Sequence, residues 1–580
     1  MFVATQHDTL SLTMTLYSLR MTPSCTNCGQ TFEITSEDLA FLDKLSPIIG
    51  GKKQDLPAPA FCPMCRRQRR YAFRNERNLY HRKCAKTGKQ IISQFANPDV
   101  KVYLNSEWWS DSWNGLDFGR DVDFSRPFFD QLQELRLAVP HPCVANDSSN
   151  VNSDYANQTG YLKNCYLLFD SDYDDSCLYL QSGKHCVSCT DSLLLFHCEL
   201  CHDCIDCSHC YRCVYLQDCE NCSDSYFLRD CKGCKWCFGC SGLRNKEYCM
   251  FNEVLPKDEY LKRIAAFRLA TDSGMKHAKE QIRAWFLKHP VKEHHNVSAE
   301  GSTGDYLANT QNLFRCFDCK DARDCRYCTS VSDNATDCMD YDIFGFNAEL
   351  LYDVITSGYN TSRVLFSFDC WSGVHDLLYC DTCPHSSYLF GCVGLKKNKY
   401  CVLNKQYTKE EYEELVPKII AHMRKTGEWG HFLPIEKSFF GYNETAADQH
   451  FPLTRKEVEK RGWRWFEEPE KKDQYLGPPA AIPDDIADVS DDILKQILLC
   501  EATGKPYKII PQELTFYREM QLPIPRLCPE RRHQERFEDR NPRRLWERTC
   551  AKCQKPITTS YSPDRPEIVY CEECYLATVY

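Results

Sequence analysis

No apolar run in the 580-residue sequence approaches the ~18 residues needed to cross a bilayer, which argues against a membrane-spanning helix. The first twenty residues lack an early basic cluster, a continuous apolar core and a small-residue cleavage site, so they do not read as an export signal. Met21, just before Pro23-Ser24-Cys25, is an alternative start. Catalytic signatures are also missing. There is no His-Glu-x-x-His, no phosphate-binding Gly-Lys-Ser/Thr loop and no dinucleotide-binding glycine pattern, and His294-His295 has no third ligand at helical spacing. A net charge of −10 is too mild to mark the whole chain as a nucleic-acid binder.

What is present in excess is cysteine: 39 residues. Cysteine-rich chains are either secreted and disulfide-bonded or intracellular and metal-bound. Without an export signal, the expectation is a cytoplasmic protein with most thiols reduced. A length of 580 residues with 43% hydrophobic content predicts several globular units rather than one.

The clearest cysteine patterns stand at the two ends. Cys25-Thr-Asn-Cys28-Gly pairs with Cys62-Pro-Met-Cys65, and Cys550-Ala-Lys-Cys553 pairs with Cys571-Glu-Glu-Cys574. Each Cys-x-x-Cys turn holds two thiolates close together, and two turns complete a tetrahedral zinc shell. Two Zn2+ per chain are expected, held by Cys25, Cys28, Cys62, Cys65 and by Cys550, Cys553, Cys571, Cys574. The ends also match each other, for example Pro57-Ala-Pro-Ala-Phe-Cys62-Pro63 with Pro523-Ile-Pro-Arg-Leu-Cys528-Pro529. Superposing the copies implies an ancestral module with two sites. The N-terminal copy has lost its second site, with Thr87, Leu104 and Glu107 at ligand positions. The C-terminal copy has lost its first, with Thr503 and Arg531 there. Cys84, Cys500 and Cys528 are left as buried thiols.

Between the modules, all seventeen cysteines from Cys165 to Cys249 fall at positions divisible by three. A step of twelve organises them further. Positions 165, 177, 189, 201, 213, 237 and 249 are Cys and 225 is Ser; 186, 198, 210, 222 and 234 form a second column. A third, from 168 to 240, reads Leu, Leu, Ser, Cys, Leu, Leu, Cys. A flat strand alternates faces with period two, so period three requires short sides joined by corners. Twelve residues per coil predicts a narrow β-solenoid. Neighbouring cysteines would then lie near disulfide distance, ~4.8 Å apart along the stack. A chain of metal sites is the alternative.

Large apolar residues follow the first column, including Leu178, Tyr179, Val214, Tyr215, Phe227 and Phe238. This stripe must pack against something, and a second repeat offers itself. Phe238-Gly-Cys-Ser-Gly-Leu243 recurs as Phe390-Gly-Cys-Val-Gly-Leu395, and Cys249-Met-Phe-Asn252 as Cys401-Val-Leu-Asn404. Packing of the two solenoids on each other is therefore expected. The second repeat has fewer cysteines and its register slips between Cys328 and Cys338 and between Cys370 and Cys380.

The expected fold class is mixed and β-rich, with zinc-ribbon or treble-clef-like modules flanking two solenoid repeats that end in helices. The segments read as an extension at 1–20, a zinc module at 21–106, an aromatic linker and helix at 107–145, and repeat 1 at 146–252. A helical segment at 253–297, repeat 2 at 298–404 and a second helical segment at 405–466 follow. An acidic, Pro-containing linker at 467–490 leads to a zinc module at 491–580. The order of zinc module, Trp108-Trp-Ser-Asp111, Ser125-Arg-Pro-Phe-Phe129 and cysteine repeats ending in Phe-Gly-Cys resembles a family of zinc-ribbon, cysteine-repeat proteins of uncultivated bacteria. Some of its members are labelled "Caib/baif family". The strings Leu499-Cys-Glu-Ala-Thr-Gly-Lys505 and Pro563-Asp-Arg-Pro-Glu567 share in the resemblance. It implies an architecture and assigns no activity; the CoA-transferase connection in the label has no counterpart in these residues.

Arg66, Arg67, Arg69, Arg70, Arg74 and Arg77, interleaved with Tyr71, Phe73 and Tyr80, suit phosphate contact and base stacking. They are the candidate surface for nucleic acid or the ribosome. In the repeats, Asp170, Asp172, Asp174 and Asp175 would favour a basic partner or calcium. The functional expectation is a zinc-stabilised, non-enzymatic binding or scaffold protein, with a protein partner as a further option. Thiol redox or metal storage by the cysteine arrays is the alternative.

Overall fold

The computed structural model describes residues 21–343, 345–468 and 481–579. The expected N-terminal extension and residues 469–480 of the acidic linker lie outside them. The chain forms two compact units, each built from two separated stretches: Met1–Cys143 with His294–Phe466, and Val144–Glu293 with Glu467–Tyr580. The N-terminal module thus shares a unit with the second repeat, and the C-terminal module with the first.

The first repeat is a ten-stranded sheet whose strands follow chain order from Ala156–Gly160 to Glu253–Val254. All neighbours are parallel until the closing antiparallel pair Cys249↔Val254. Partners are twelve residues apart, as in Ala156↔Leu168, Leu193↔Ile205 and Tyr226↔Phe238. The period of three has a backbone cause. From Gln158 to Phe251 every third residue is left-handed, with φ between 46° and 71°. Each such residue turns a corner, so a coil consists of four three-residue sides. Only three of these corners are glycine (Gly233, Gly239, Gly242); the rest carry side chains at about 1–2 kcal/mol of strain each.

Hydrogen bonds hold the chain in these corners. The residue after each column position donates to the next coil, as in Leu178 N–H to Cys189 O at 2.9 Å. The corner residue donates to the previous coil, as in Ser188 N–H to Asp175 O at 2.9 Å. The column residue's own amide points inward and depends on the side chain one coil below. Cys165 N–H donates to Ser153 Oγ at 2.9 Å, Cys189 N–H to Cys177 Sγ at 3.4 Å, Cys204 N–H to Ser192 Oγ at 3.1 Å and Cys237 N–H to Ser225 Oγ at 3.0 Å. The same thiols donate to carbonyls: Cys189 Sγ reaches Val187 O at 3.5 Å and Cys198 O at 3.4 Å. Leu168, Leu180, Leu216 and Leu228 fill space at other column positions, but a column residue that serves such an amide must be small, apolar enough to be buried, and able to give and take a weak hydrogen bond. Cysteine meets all three demands. Besides the columns read from the sequence there is a fourth: Ser171, Gly183, Leu195, Cys207, Cys219, Cys231 and Leu243.

The second repeat is an eleven-stranded sheet closed by the antiparallel pair Cys401↔Gln406. Its spacing varies. Gly304↔Cys316 is a step of twelve; Arg323↔Thr336, Thr336↔Glu349, Glu349↔Ser362 and Ser362↔His375 are steps of thirteen; His375↔Ser387 returns to twelve. The slips in the cysteine register are thus coils with one extra residue. Gly304 is indispensable, because a Cβ there would lie 1.8 Å from Cys316 O. The helices expected after each repeat are present, at Lys257–Ala266 and Asp272–Phe286 and at Lys409–Thr426.

The apolar stripe finds its cover inside its own unit. Val214, Phe227, Phe238 and Met250 form one core with Met275, Ala278 and Ile282 of the following helix and with Leu514, Tyr517 and Met520 of the C-terminal module. This corrects the expectation that the second repeat covers it. In the other unit, Met339, Tyr352, Leu365, Leu378, Phe390 and Val402 pack with Phe41, Tyr71, Phe128, Val416 and Ile420. The aromatic segment takes part: Phe128 fits over Gly391, and the Lys396 ammonium lies 4.8 Å from the centroid of Trp113.

Ser225 offers a direct test of the column rule, since its Oγ also donates to Ser223 O at 2.7 Å. Ser225→Ala leaves the Cys237 amide without its acceptor and is expected to cost about 1–3 kcal/mol in chemical denaturation. Ser225→Cys keeps a donor and an acceptor and stays close to the parent. Equal stability of the two variants would contradict the rule.

Candidate metal centres

Four turns of the same construction occur, two in each module. In each, a knuckle begins at a cysteine, and the residue four positions on returns its amide to that cysteine's carbonyl: Gly29 to Cys25 O, Gly88 to Cys84 O, Gly504 to Cys500 O and Gln554 to Cys550 O, at 2.8–2.9 Å. All four returning residues have positive φ. The residue after the first cysteine ties the knuckle to the extended segment before a helix: Thr26 to Ala60, Ala85 to Val102, Glu501 to Arg526 and Ala551 to Val569. The helices Pro63–Tyr71, Asn105–Trp109, Pro529–Asp539 and Glu572–Val579 then begin at the third and fourth ligand positions. The same turn thus recurs at all four places that the alignment of the two ends picks out, including the two where ligands are gone.

Two of the four turns keep all four cysteines. Cys25, Cys28, Cys62 and Cys65 form one group and Cys550, Cys553, Cys571 and Cys574 the other, with all sulfurs of a group within 4.8 Å of one another. Among the described residues these are the groups able to hold a metal ion. Cys28 Sγ lies 3.9 Å from Cys62 Sγ, and Cys553 Sγ lies 3.7 Å from Cys571 Sγ. A tetrahedron with metal–sulfur bonds of about 2.3 Å has edges of about 3.8 Å, so the donor sets fit an ion of that size. At one cysteine of each group local donors favour thiolate, while burial pushes Cys28 up and the Cys62 thiol pushes Cys65 up. The Cys65 thiol, more than any other group, pulls Cys62 down to about 5. Burial works against Cys550, but the amides of Cys553, Cys571 and Lys552 outweigh it and bring it to about 6. Four thiolates fill a tetrahedral shell and leave no position for a substrate, which is the pattern of a structural site.

The broken turns hold themselves by hydrogen bonds. Leu104 N–H donates to Cys84 Sγ at 3.3 Å, as Cys62 N–H does to Cys25 Sγ at 3.3 Å in the intact centre. Cys84, Cys500 and Cys528 are buried, as expected.

The arginines differ from expectation. Arg66, Arg67, Arg69, Arg70 and Arg74 are buried, and Arg77 is half-buried. Arg70 is wholly enclosed, with Nε 2.5 Å from Asp342 and Nη1 2.5 Å from Asp353; Arg66 pairs with Asp340, and Arg69 lies 3.6 Å from Asp353. Burial opposes the Arg70 charge, yet Asp342, Asp340 and Asp353 more than offset it and hold its pKa well above the ordinary value. Arg66, Arg69 and Arg70 are held by carboxylates and Arg67 and Arg74 are buried with them, so these five do not form the exposed surface expected to meet nucleic acid. The helix is a clamp onto the second repeat. The C-terminal module repeats it: Arg532 and Arg536 pair with Asp191 at 3.0 and 3.3 Å, Arg536 with Asp203 at 3.5 Å and Arg540 with Asp206 at 2.7 Å. Counting coils back from Met250 and Val402 places Asp191 and Asp203 at the positions of Asp340 and Asp353.

The acidic turn is dispersed too. Asp174 points into the coil, its Oδ1 accepting from Cys186 N–H at 2.7 Å, while Asp170 accepts from Ser182 and Asp175 from Lys163. On the outside of the first repeat, Tyr161, Tyr173, His185, His197 and His209 stack at 4.5–5.1 Å. Sequence reading missed this ring column, although its step of twelve is the same.

Removing Arg70 leaves Asp342 and Asp353 buried beside less positive charge. Arg70→Ala is expected to destabilise its unit by about 3–5 kcal/mol in chemical denaturation. An unchanged midpoint would contradict the clamp. No family model, no curated protein and no solved structure matches this chain.

Proposed function

We propose that the chain is a zinc-stabilised, non-enzymatic scaffold: two cysteine-lined β-solenoids, each clamped by the arginine helix of a zinc-ribbon or treble-clef-like module. The observation that carries this reading is that the chemically capable groups are committed to structure. All 39 cysteines are free thiols, eight in closed metal centres and most of the others inside coils. Zinc is the ion favoured by four thiolates in a closed tetrahedron. Free thiols at this density persist in a reducing compartment, which favours the cytoplasm. A protein partner, rather than nucleic acid or a membrane, belongs to the reading because the arginine helix is occupied internally.

Burial speaks against thiol redox as the function. It pushes Cys177, Cys370 and Cys383 well above the ordinary thiol range, whereas neighbouring thiols hold Cys325 down at about 6; enclosure inside the coils keeps both kinds from a disulfide substrate. The metal-loaded protein should therefore show no more disulfide-reductase turnover than a buffer control with the same reductant. Turnover that is lost when a column cysteine such as Cys201 is changed to Ser would replace the scaffold with a redox enzyme.

A further inference from the structure

The two arginine clamps are alike in their aspartates and differ at the start of the helix. The helix Pro63–Tyr71 begins on Cys62 and Cys65, two ligands of the N-terminal centre, and Cys62 gives it no side-chain cap. At nine residues it is too short to persist without external support. One turn further on, Arg66, Arg69 and Arg70 enter the carboxylates of the second repeat, Gln68 donates to Tyr442 at 2.8 Å, and Tyr71 bonds Thr329 at 2.9 Å.

The matching helix Pro529–Asp539 begins on a broken centre. Arg531 stands where the fourth ligand would be and pairs with Glu535 at 3.3 Å and Glu538 at 3.5 Å, bracing the helix along its own length. Arg532 is also held by Glu513 at 3.1 Å, from the neighbouring helix Pro511–Met520 of the same module. The residue matching Glu513 in the N-terminal module is Asp38, and it is turned to Arg326 of the repeat at 2.5 Å. The C-terminal clamp is therefore braced by ion pairs inside its own module, whereas the N-terminal helix starts on the metal ligands.

We propose that metal at Cys25, Cys28, Cys62 and Cys65 controls the seating of the arginine helix Pro63–Tyr71 on the second repeat, and that the C-terminal arginine helix has become independent of metal. The inference rests on occupancy of the N-terminal four-cysteine centre. Loss of that ion loosens one unit at its clamp; loss of the C-terminal ion loosens only the helix Glu572–Val579, which begins at Cys571. The device responds to a chelator that strips thiolate-bound metal, which the exposed Cys28 leaves within reach.

Hydrogen–deuterium exchange of the full-length protein, read by mass spectrometry before and after chelation, tests this, with metal content measured on the same samples. Residues 61–75 and 337–356 should exchange at least tenfold faster once metal is gone, while 528–541 and 188–207 keep their rates. Cys28→Ser should reproduce the change at 61–75, and Cys553→Ser should not. Continued protection of 61–75 in metal-free protein overturns the inference, including in protein that never held metal, as does equal loosening of 528–541. Protein without metal from the outset would in addition remove the zinc reading itself, so the two failures are distinguishable.

Discussion

Within each coil, one backbone amide in three points into the buried interior. A buried amide without a partner costs about 1–3 kcal/mol, and a coil has four such positions. The side chain one coil below can satisfy that amide only if it is small and carries a weak acceptor. This requirement accounts for the cysteine, serine and occasional aspartate at column positions whose side chain accepts from the coil above, such as Ser153, Asp174, Cys177 and Ser225. It also explains why the spacing repeats every twelve residues and why the thiols are neither paired nor exposed. Leucines at Leu168, Leu180, Leu216 and Leu228 supply bulk between the polar positions.

Besides the core inside its coils, each stack is covered from outside. Each repeat presents one apolar stripe, and beside it a pair of corner aspartates in consecutive coils. The stripe supplies burial and the aspartates fix position, because a guanidinium accepts few arrangements of two carboxylates. Asp340 and Asp353 receive Arg66, Arg69 and Arg70; Asp191 and Asp203 receive Arg532 and Arg536. The chain order is module, repeat, repeat, module, yet each module serves the repeat that is not next to it in sequence. Folding of either unit therefore waits on a contact between residues hundreds of positions apart, such as Arg70 with Asp342.

The repeat geometry was largely legible in the sequence, because the interior constraint acts at every third position and leaves a periodic trace. The two metal groups were legible for the same reason: ligand spacing is local. What was not legible was long-range. Arg66 to Arg70 read as a basic surface since their counter-charges stand in a different segment, and Asp340 and Asp353 are two acids among many until the coils place them side by side. The stripe was assigned to the wrong cover because either an adjacent repeat or a distant module satisfies an apolar face equally well on paper. The slips in the second repeat are thirteen-residue coils, and Asp340 and Asp353 stand on them as Asp191 and Asp203 stand on twelve-residue coils.

The central claim is that the cysteines fall into two classes, eight metal ligands at the two module centres and packing groups everywhere else. Native mass spectrometry of the full-length protein, purified under reducing and low-oxygen conditions, measures this most directly. The account predicts two zinc ions per chain. Further sulfur-bound metal beyond two would place ions inside the coils and contradict it.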